Sequence, residues 1–390
     1  MAVINSIADR QDEMRGWRYL MHQHPETSYE EVWTSNFIAE KLTSFGIEVH
    51  RGMGKTGVVG VLRGNGKSDA AIGLRADMDA LPMQEMNTFA HKSETPGRMH
   101  ACGHDGHCTM LLGAAQYLAE TRNFDGTVYF VFQPAEEGGC GGEAMIKDGL
   151  FDKFQMRSIW GMHNWPGLEA GRALAHVGPA MAGADIFILT IEGAGGHAAM
   201  PHQTKDPIVA AGMVTMALQT LVSRQLDPFD QAVISLTKLE AGSAFNVIPG
   251  IATVGGTLRT MKAETRKDFL QKIETVAKTA AQVTGCDVSM EVRPGYPPTI
   301  NHEADALFAR GVISDVLGKD GLDTDLTPAM GAEDFSYMLQ QKEGAYIWLG
   351  AGKDSQNLHS SLYDFNDDLL PMGASLWVRM VEAKLPLQTG

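Results

Sequence analysis

Helical and strand-like patterns of apolar residues alternate through the first 177 residues of the chain. Helical spacing over residues 4–24 ends before Pro25, and a second helical pattern over 30–45 ends at Gly46. Strands separated by helices predict an α/β domain with a largely parallel sheet that helices cover on both faces. The strand-like runs are 47–51, 57–62, 70–78, 127–133 and 158–164, and further helical patterns cover 108–121 and 142–150.

The order of elements changes after residue 177. Residues 178–293 read strand, helix, strand, strand, helix, strand, which is typical of a ferredoxin-like sandwich. The Pro- and Gly-rich segment 294–298 follows, and a mixture of helices and strands then resumes. We therefore predict a discontinuous α/β domain, 1–177 with 294–390, and an inserted domain, 178–293. The predicted strands of the insert are 184–193, 232–240, 251–260 and 287–294, and its helices are 206–225 and 263–284.

The composition is that of a soluble globular protein. Hydrophobic residues make up 44% of the 390 residues and charged residues 20%, and this length favours more than one domain. The net charge of −15 argues against nucleic acid or an anionic membrane as a partner, because both would repel the chain. The first residues are polar, no apolar run approaches a membrane span, and the four cysteines have no disulfide-framework spacing. We therefore expect a cytoplasmic protein with reduced thiols.

Residues that commonly bind metals lie where predicted strands end. In an open parallel sheet, ligands bind beyond the carboxyl ends of the strands, so side chains from these segments are expected to meet there. Flanking glycines such as Gly103 and Gly138 let the backbone approach closely. Each residue alone has an ordinary structural explanation, as a core histidine, a solvated carboxylate or a small buried thiol. Together they favour a metal site, and the candidates are Cys102, His104, Glu136, Glu137, His163 and His359.

If one of the two glutamates is not a ligand, five candidate ligands remain. This is one more than the four ligands of a closed tetrahedral zinc site. Two divalent ions about 4 Å apart would use all five and leave positions open for water and substrate. A thiolate favours Zn, Co or Ni over Mg or Ca. Glu137 suits a ligand role and Glu136 that of a general base, because consecutive side chains near a strand end point in different directions. Spacing alone does not decide which glutamate has which role.

Two other interpretations remain open at this point. Cys102 with His104 or His107 could form a nucleophile and base pair in a thiol hydrolase, which leaves the remaining candidates without a role. Alternatively, the chain could be a binding or scaffold protein without catalytic chemistry. Inactivation by chelators would support the metal interpretation over the thiol hydrolase. Absence of turnover would support the binding or scaffold protein over both enzymes.

The motifs of the chain, taken in order, resemble those of the M20 metallopeptidase family, in its amidohydrolase branch. This branch includes hippurate hydrolases, N-acyl-amino-acid amidohydrolases and enzymes that cleave auxin–amino acid conjugates. The resemblance covers nearly the whole chain and implies a zinc-peptidase-like α/β domain, with a mixed sheet covered by helices and an inserted ferredoxin-like lid that often mediates dimerisation. The motifs are RADMDALPM, MHACGHDGH, PAEEGG, GMHN, GGHAAMPH, NVIPG, GGTLRT, MGAEDFS and HSS.

The resemblance implies a role for each metal-site candidate. Cys102 matches the ligand that bridges two metals. The other ligands match in pairs, His104 with His163 on one metal and Glu137 with His359 on the other. Glu136 matches the catalytic base, and Asp79 the aspartate that follows the first metal histidine in other branches. Asp77 stands at that histidine's own position, so we expect Asp77, and Asp79 among the catalytic residues, to support the ligands rather than to bind metal.

The resemblance also implies substrate-binding residues in the insert. His197 in GGHAAMPH matches a histidine that stabilises the oxyanion, with a helix-cap role as the structural alternative. Asn246 and Arg259, both expected on strands of the insert, match binders of the substrate's carboxylate, although a strand arginine is often only a surface charge.

The implied reaction is metal-dependent hydrolysis of N-acyl amino acids by a homodimer or homotetramer, with two divalent ions per subunit (Zn first, then Mn, Co or Ni). A dipeptidase or aminoacylase-type peptidase on the same metal site is the alternative. The sequence does not specify the acyl group or the amino acid. Phe245 and Met200 could line the pocket or belong to the core.

Overall fold

The computed structural model describes residues 3–387 of the chain. The chain divides into two compact units. The first comprises Met1–Ala180, Ile300–Thr327 and Asp334–Gly390, and the second comprises Met181–Thr299 and Pro328–Glu333. The predicted insert spans 178–293 and the long segment of the second unit spans Met181–Thr299, while the contribution of 328–333 has no counterpart in the sequence pattern.

The first unit contains a seven-stranded mixed sheet with the strand order β1-β2-β4-β3-β5-β15-β6. The four strands β4, β3, β5 and β15 are parallel, whereas β1, β2 and β6 pair antiparallel at the two sides. Numbered in chain order, the strands are β1 (Glu48–Met53), β2 (Gly57–Arg63), β3 (Ala71–Asp77), β4 (Thr127–Gln133), β5 (Ser158–Pro166), β6 (Ala173–Ala175) and β15 (Glu343–Gly352). The sheet is therefore mixed, as the family resemblance implies, with parallel strands in the centre and antiparallel ones at the sides, since β1 and β2 follow each other without an intervening helix.

Helices cover this sheet and supply most of its hydrophobic core. All seven residues of β3 are buried, as expected for a central strand covered on both faces. The helix that begins at His104 packs on β3 and against the C-terminal helix. The helices are α1 (Asn5–Ala8), α2 (Gln11–Gln23), α3 (Val32–Ser44), α4 (His104–Thr121), α5 (Gly141–Lys147), α6 (Leu150–Lys153), α9 (Glu303–Leu317), α10 (Phe335–Leu339) and α11 (Leu369–Lys384).

The second unit has the ferredoxin-like order predicted from the sequence. Its four antiparallel strands lie in the order β10-β12-β8-β13, and two helices pack on them around a separate core. A two-stranded ribbon, β9 with β11, accompanies this sheet. The elements are β8 (Gly183–Glu192), β9 (Gly196–His197), α7 (Pro207–Thr220), β10 (Ala232–Ala241), β11 (Val247–Ile248), β12 (Ile251–Thr260), α8 (Ala263–Gln282) and β13 (Asp287–Pro294). The short strands β7 (Gly178–Met181) and β14 (Thr299–Asn301) pair with each other.

One segment of the second unit is more apolar than the sequence analysis expected. The helical stretch Pro207–Gln225 is, by length and composition alone, apolar enough to cross a membrane. Only 33% of that stretch is buried, and its buried side packs on the sheet of the second unit. A helix that covers a sheet in a soluble protein passes the same test, so this finding by itself assigns no membrane role.

Candidate metal centre

The predicted ligands of the first unit come together at the carboxyl ends of the parallel strands. Cys102 and His104 lie at the start of α4, Glu137 follows β4, and His163 lies near the end of β5. Ligand atoms of Cys102, His104 and Glu137 lie within 4.8 Å of one another. The Sγ of Cys102 lies 3.3 Å from Nε2 of His163. Helix α4 begins four residues earlier than predicted, so His104 belongs to its first turn rather than to a loop.

Gly103 explains why α4 can begin next to the cluster. This residue is the N-cap of the helix and has a φ of 91°, a left-handed conformation that L-residues with a side chain rarely adopt. A Cβ atom at this position would collide with the side chains of Asn164 and Tyr363, which hydrogen-bond to each other over 2.7 Å. The glycine thus permits the close approach that brings His104 and His107, one helical turn apart, to the strand ends.

A second group of four potential ligands overlaps the first. Ligand atoms of Asp77, His104, His107 and His163 also lie within 4.8 Å of one another. In this group, however, Asp77 and His107 already have partners. The Nδ1 of His107 lies 2.6 Å from Oδ1 of Asp77, and its Nε2 lies 2.7 Å from Oδ1 of Asn164. The Nη1 of Arg75 donates to Oδ2 of Asp77 over 2.7 Å.

His104 differs from Asp77 and His107 in having no hydrogen-bond partner at either ring nitrogen. It is fully buried, and its Nδ1 and Nε2 lie 3.3 Å and 3.8 Å from carboxylate oxygens of Asp79 and Asp77. Burial lowers the pKa of His104, but the charges of Asp77, Asp79 and Glu137 raise it to about 10. A buried imidazole surrounded by carboxylates and lacking a hydrogen-bond partner fits a site that holds a cation.

The thiol of Cys102 lies in the same negative environment. Burial raises its pKa well above the usual range, and the charges of Glu137, Glu136 and Asp77 raise it further. A nucleophilic cysteine needs the opposite, a pKa lowered by a nearby positive group. The Sγ of Cys102 lies 3.3 Å from Nε2 of His163, and ligand atoms of His104 and Glu137 are within 4.8 Å as well, so the thiol has several potential metal-binding neighbours rather than one base. The donor set therefore fits a metal cluster and does not favour the cysteine-nucleophile alternative.

His163 has the geometry of a metal-binding histidine. Its Nδ1 lies 2.6 Å from the backbone oxygen of Asn164, which leaves Nε2 directed at Cys102. Burial lowers the pKa of His163 well below its usual value, and the neighbouring His107 lowers it further. A neutral imidazole whose second nitrogen donates to a carbonyl is the form in which histidine binds metals.

Asp79 fixes the loop that carries the two glutamates. Its Oδ1 accepts a hydrogen bond from the backbone nitrogen of Glu136 over 3.0 Å, and its Oδ2 accepts one from that of Glu137 over 2.9 Å. The hydroxyl of Ser28 lies 3.0 Å from the same Oδ2. Both carboxylate oxygens of Asp79 thus hold the backbone of this loop in place.

Glu31 supports the same loop from the other side. Its Oε1 accepts a hydrogen bond from the backbone nitrogen of Ala135 over 2.9 Å, and its Oε2 accepts one from Thr56 over 2.7 Å. Ala135 has a φ of 53°, a left-handed conformation that costs free energy in a residue with a side chain. Strained backbone directly before Glu136 is typical of a functional site that the surrounding structure holds in place.

His359 completes the cluster from the C-terminal part of the first unit. Its Nε2 lies 3.1 Å from Oε1 of Glu137, and this interaction raises the pKa of His359. The backbone nitrogen of His359 donates to the carbonyl of Ala101 over 2.8 Å, although φ is 64°. Unlike the other candidate ligands, its side chain is about half exposed, at 54%.

The substrate-binding candidates all lie in the second unit. His197 belongs to β9, and Asn246 lies in the turn before β11, not on a strand as expected. The two are neighbours, since the backbone nitrogen of Ala198 donates to the carbonyl of Asn246 over 3.0 Å. Both side chains are exposed, and the Nδ1 of His197 accepts a hydrogen bond from the backbone nitrogen of Ala199 over 3.1 Å.

Arg259 lies on β12, as predicted, and its Nη1 donates to the carbonyl of Met330 over 3.0 Å. The sequence left open whether Phe245 and Met200 line the pocket or belong to the core. Both are exposed and therefore do not belong to the core.

Sequence analysis did not identify several residues that position the cluster. Arg75 and Gln133 form hydrogen bonds with the buried Asp334, which also accepts from the backbone nitrogen of Gly142 over 2.8 Å. One sequence signal was available: RADMD places charges in a strand whose other residues are apolar, and such charges are buried only when they are paired. The supporting residues without an assigned role in the sequence analysis are Ser28, Glu31, Arg75, Gln133, Asn164, Asp334 and Tyr363.

This combination of a mixed α/β sheet, a ferredoxin-like unit and a buried cluster of thiol, imidazole and carboxylate groups defines a class of metal-dependent hydrolases. The chain belongs to the M20 family and is an amidohydrolase of that family. Its residues 73–383 match the model of peptidase family M20/M25/M40.

Individual relatives cover nearly the whole chain. It is 42% identical to a hippurate hydrolase from Campylobacter jejuni over 97% of this chain and 98% of that protein. It is equally 42% identical to IAA-amino acid hydrolase ILR1-like 4 from Arabidopsis thaliana, over 95% of this chain and 85% of that protein. The crystal structure of a dinuclear metal-binding M20 peptidase, the YXEP protein of Bacillus subtilis, has a TM-score of 0.86 with 30% identity and covers 97% of this chain and 99% of that chain.

Proposed function

We propose that this protein hydrolyses the amide bond of N-acyl amino acids to a carboxylic acid and a free amino acid. The observation that carries the proposal is the buried cluster of Cys102, His104 and Glu137 next to Glu136, whose backbone Asp79 holds in place. The substrate class is supported by two relatives, each 42% identical to this chain, that are named for hydrolysis of hippurate and of IAA-amino acids.

The cofactor of the proposed reaction is a pair of divalent ions, with zinc the preferred metal and Mn, Co or Ni as alternatives. The unpartnered nitrogens of His104 and the buried thiol of Cys102 are donors that such ions would satisfy. The presence of two ions is supported by a relative with 30% identity that is described as a dinuclear metal-binding peptidase. When bound, the ions supply Lewis acidity, which makes water more acidic and polarises the amide carbonyl. The proposed ligands are Cys102, His104, Glu137, His163 and His359.

Glu136 is the proposed general base and acid. It takes a proton from the attacking water and passes the proton to the leaving nitrogen, so that the amide breaks into an acid and an amine. Its side chain is buried, with 6% exposed, which places the carboxylate in a poorly solvated environment. Asp79 contributes by orienting the loop, since its two oxygens accept from the backbone nitrogens of Glu136 and Glu137.

The second unit is proposed to supply the remaining contacts with the substrate. His197 would donate to the oxyanion that develops on the carbonyl, while Asn246 and Arg259 would bind the carboxylate of the amino acid. The exposure of His197 and Asn246, and their adjacency, support this assignment. The guanidinium of Arg259 has five N–H donors, and its bond to Met330 occupies one of them.

We also propose that the protein is a homodimer or homotetramer that associates through the second unit. Strand β10 is an edge of its sheet, and unpaired edges are sites of association. Several large apolar side chains are exposed on this strand and on α7. Single exposed apolar residues are common on any protein surface, whereas a group of them indicates an interaction site. The exposed apolar residues of these two elements include Ile208, Val209, Met213, Met216, Val233 and Leu239. Light scattering of wild type and of Met216→Asp tests this, since a monomeric wild type would contradict it.

The first experiment measures hydrolysis of acetyl-, benzoyl- and indoleacetyl-amino acids and of dipeptides. Each substrate is tested after chelation and again after addition of Zn, Mn, Co or Ni. We expect activity to disappear on chelation, to return with metal, and to favour one acyl group. A preference for dipeptides would support the peptidase alternative. Activity that survives chelation but is lost on thiol alkylation would support Cys102 as a nucleophile.

A substitution separates the base from the ligands. Glu136→Gln is expected to lose most of its activity and to keep the wild-type metal content, measured by elemental analysis. Glu143→Gln, a partly exposed glutamate paired with Lys147 on α5, is the matched control and should match wild type. Full activity in Glu136→Gln would show that another group is the base.

A further inference from the structure

Two tryptophans lie beside the proposed metal centre and take no part in the reaction described above. Trp165 follows His163 by two residues on β5, so both side chains are on the same face of the sheet. Trp348 on β15 is the register partner of His163 and is directed to that face as well. The indole rings of Trp165 and Trp348 stack with centroids 3.6 Å apart and an angle of 5° between their planes.

The two members of this stack differ in exposure. Trp348 is buried, with 1% exposed, and His176 packs edge-on against it with a centroid distance of 4.6 Å. Trp165 is only partly buried, although one face of its ring is covered by Trp348. Stacking on the buried Trp348 thus holds the Trp165 ring in a fixed orientation while part of the residue's surface remains accessible.

The position of Trp165 relative to His163 indicates what that surface meets. The two rings lie 6.2 Å apart at an angle of 73°, at the end of the strands where ligands bind. In the proposed reaction the scissile carbonyl lies at the metal centre, and the acyl group is joined directly to that carbonyl. An acyl group on the His163 side would therefore contact Trp165, and flat aromatic groups gain most from stacking or edge-to-face contact with an indole.

We propose that Trp165, supported by Trp348, forms a subsite for aromatic acyl groups and determines the acyl specificity of the enzyme. The subsite rests on the proposed function, because it assumes that an N-acyl amino acid binds with its carbonyl near His163. It would favour substrates with a planar ring close to the carbonyl, such as benzoyl or indoleacetyl conjugates, over acetyl conjugates.

The test compares two substrates that differ only in the acyl group, N-benzoylglycine and N-acetylglycine. In Trp165→Ala we expect kcat/KM for the benzoyl substrate to fall roughly tenfold, the size of an aromatic contact, with less than about a threefold change for the acetyl substrate. Trp165→Phe keeps a ring and should retain most of the benzoyl activity. Trp33→Ala is the control, because Trp33 is also partly buried and stacked, on His24 at 4.3 Å, but lies on α3.

Binding of benzoate, measured by quenching of intrinsic fluorescence, provides a second readout. We expect quenching in wild type and in the Trp33→Ala variant, and its loss in Trp165→Phe. An equal loss of activity on both substrates in Trp165→Ala, or no loss on either, would overturn the subsite. Trp165 would then serve only to pack β5 against β15. If wild type hydrolyses neither substrate with any added metal, the proposed function fails, and the fluorescence titration then decides the subsite independently.

Discussion

The carboxylate of Asp77 and the imidazole of His107 lie 2.6 Å apart, and the other oxygen of Asp77 accepts from Arg75 over 2.7 Å. Burial raises the pKa of Asp77, but the charges of His104, Arg75 and His107 lower it well below its usual range. Asp77 is thus ionised, and both of its carboxylate oxygens have partners, as expected for a residue that supports the ligands. It provides no oxygen that is free of partners, although it stands where the resemblance places a histidine ligand in other branches.

Asp77→Asn tests whether this residue supports the ligands or is one of them. Loss of the charge beside the proposed ligand His104, 3.8 Å away, should reduce activity roughly 10- to 100-fold, as is usual for outer-shell partners of metal ligands. At saturating metal, the number of ions bound per subunit should not change. Elemental analysis after gel filtration measures this number, and the thermal midpoint shows whether the variant folds. The loss of one ion per subunit would instead identify Asp77 as a ligand.

Glu31 is predicted to be necessary for the strained loop before Glu136. In Glu31→Ala the backbone N–H of Ala135 and the hydroxyl of Thr56 would lose their shared partner, and each unsatisfied buried group costs about 1–3 kcal/mol. We expect a lower unfolding free energy in urea and a lower kcat. Glu31→Gln is the matched variant, since its amide oxygen can still accept from Ala135. If both variants have wild-type kcat, the contact does not position the loop.

His22 is predicted to make stability depend on pH. Burial lowers its pKa, but Asp105, 2.8 Å from its Nδ1, and then Glu85 raise it from 6.5 to about 9. Because the folded-state pKa is higher than the unfolded one, the stabilisation is complete below about pH 6.5 and is lost as the pH rises through about 9. The shift corresponds to at most about 3 kcal/mol.

Urea unfolding between pH 6 and 9.5 measures this effect. Wild type should lose stability over that interval, and His22→Gln should lose less. His24→Gln is the control, because the Nδ1 of His24 pairs with a neutral group, the backbone carbonyl of Leu20, over 2.9 Å. Parallel curves for wild type and His22→Gln would contradict the assignment.

Arg18 is predicted to stabilise the first unit strongly. It is fully buried and lies 3.3 Å from Asp105, 2.9 Å from Asp364 and 2.6 Å from Asp367. Arg18→Met would remove the cation that these three carboxylates share, and breaking a buried pair of this kind costs about 3–5 kcal/mol.

Arg15→Met provides the comparison, since Arg15 forms an exposed pair with Asp12 and such pairs contribute about 0–1 kcal/mol. Unfolding free energies measured in urea at pH 7 should differ accordingly. Similar small losses in both variants would show that the carboxylates around Arg18 are accommodated without it.

The sequence was sufficient to identify the fold class and the cluster of candidate ligands. Strand-end positions of Cys102, Glu137 and His163 follow from local periodicity, and the parallel strands bring such positions to one edge. Periodicity also predicted the ferredoxin-like order of the second unit, because each of its elements has a separate apolar face.

The supporting contacts could not be predicted in the same way. Glu31 and Ala135 are 104 residues apart, and Arg75 and Asp334 are 259 apart, so no local pattern connects them. Hydrogen bonds between side chain and backbone leave no periodic trace, which is why the role of Asp79 was visible only as a motif match. The early start of α4 was missed because Gly103 and the polar residues after it interrupt the apolar spacing.

The unequal exposure of the ligands has a consequence for the rate at which metal exchanges. Cys102, His104 and His163 are buried, whereas His359 is about half exposed. An ion held through His359 could be reached by a chelator in the folded protein, while one held by the two buried histidines could leave only after local opening of the chain. Chelation should therefore proceed in a fast and a slow phase, and briefly treated preparations should contain a population with one ion per subunit.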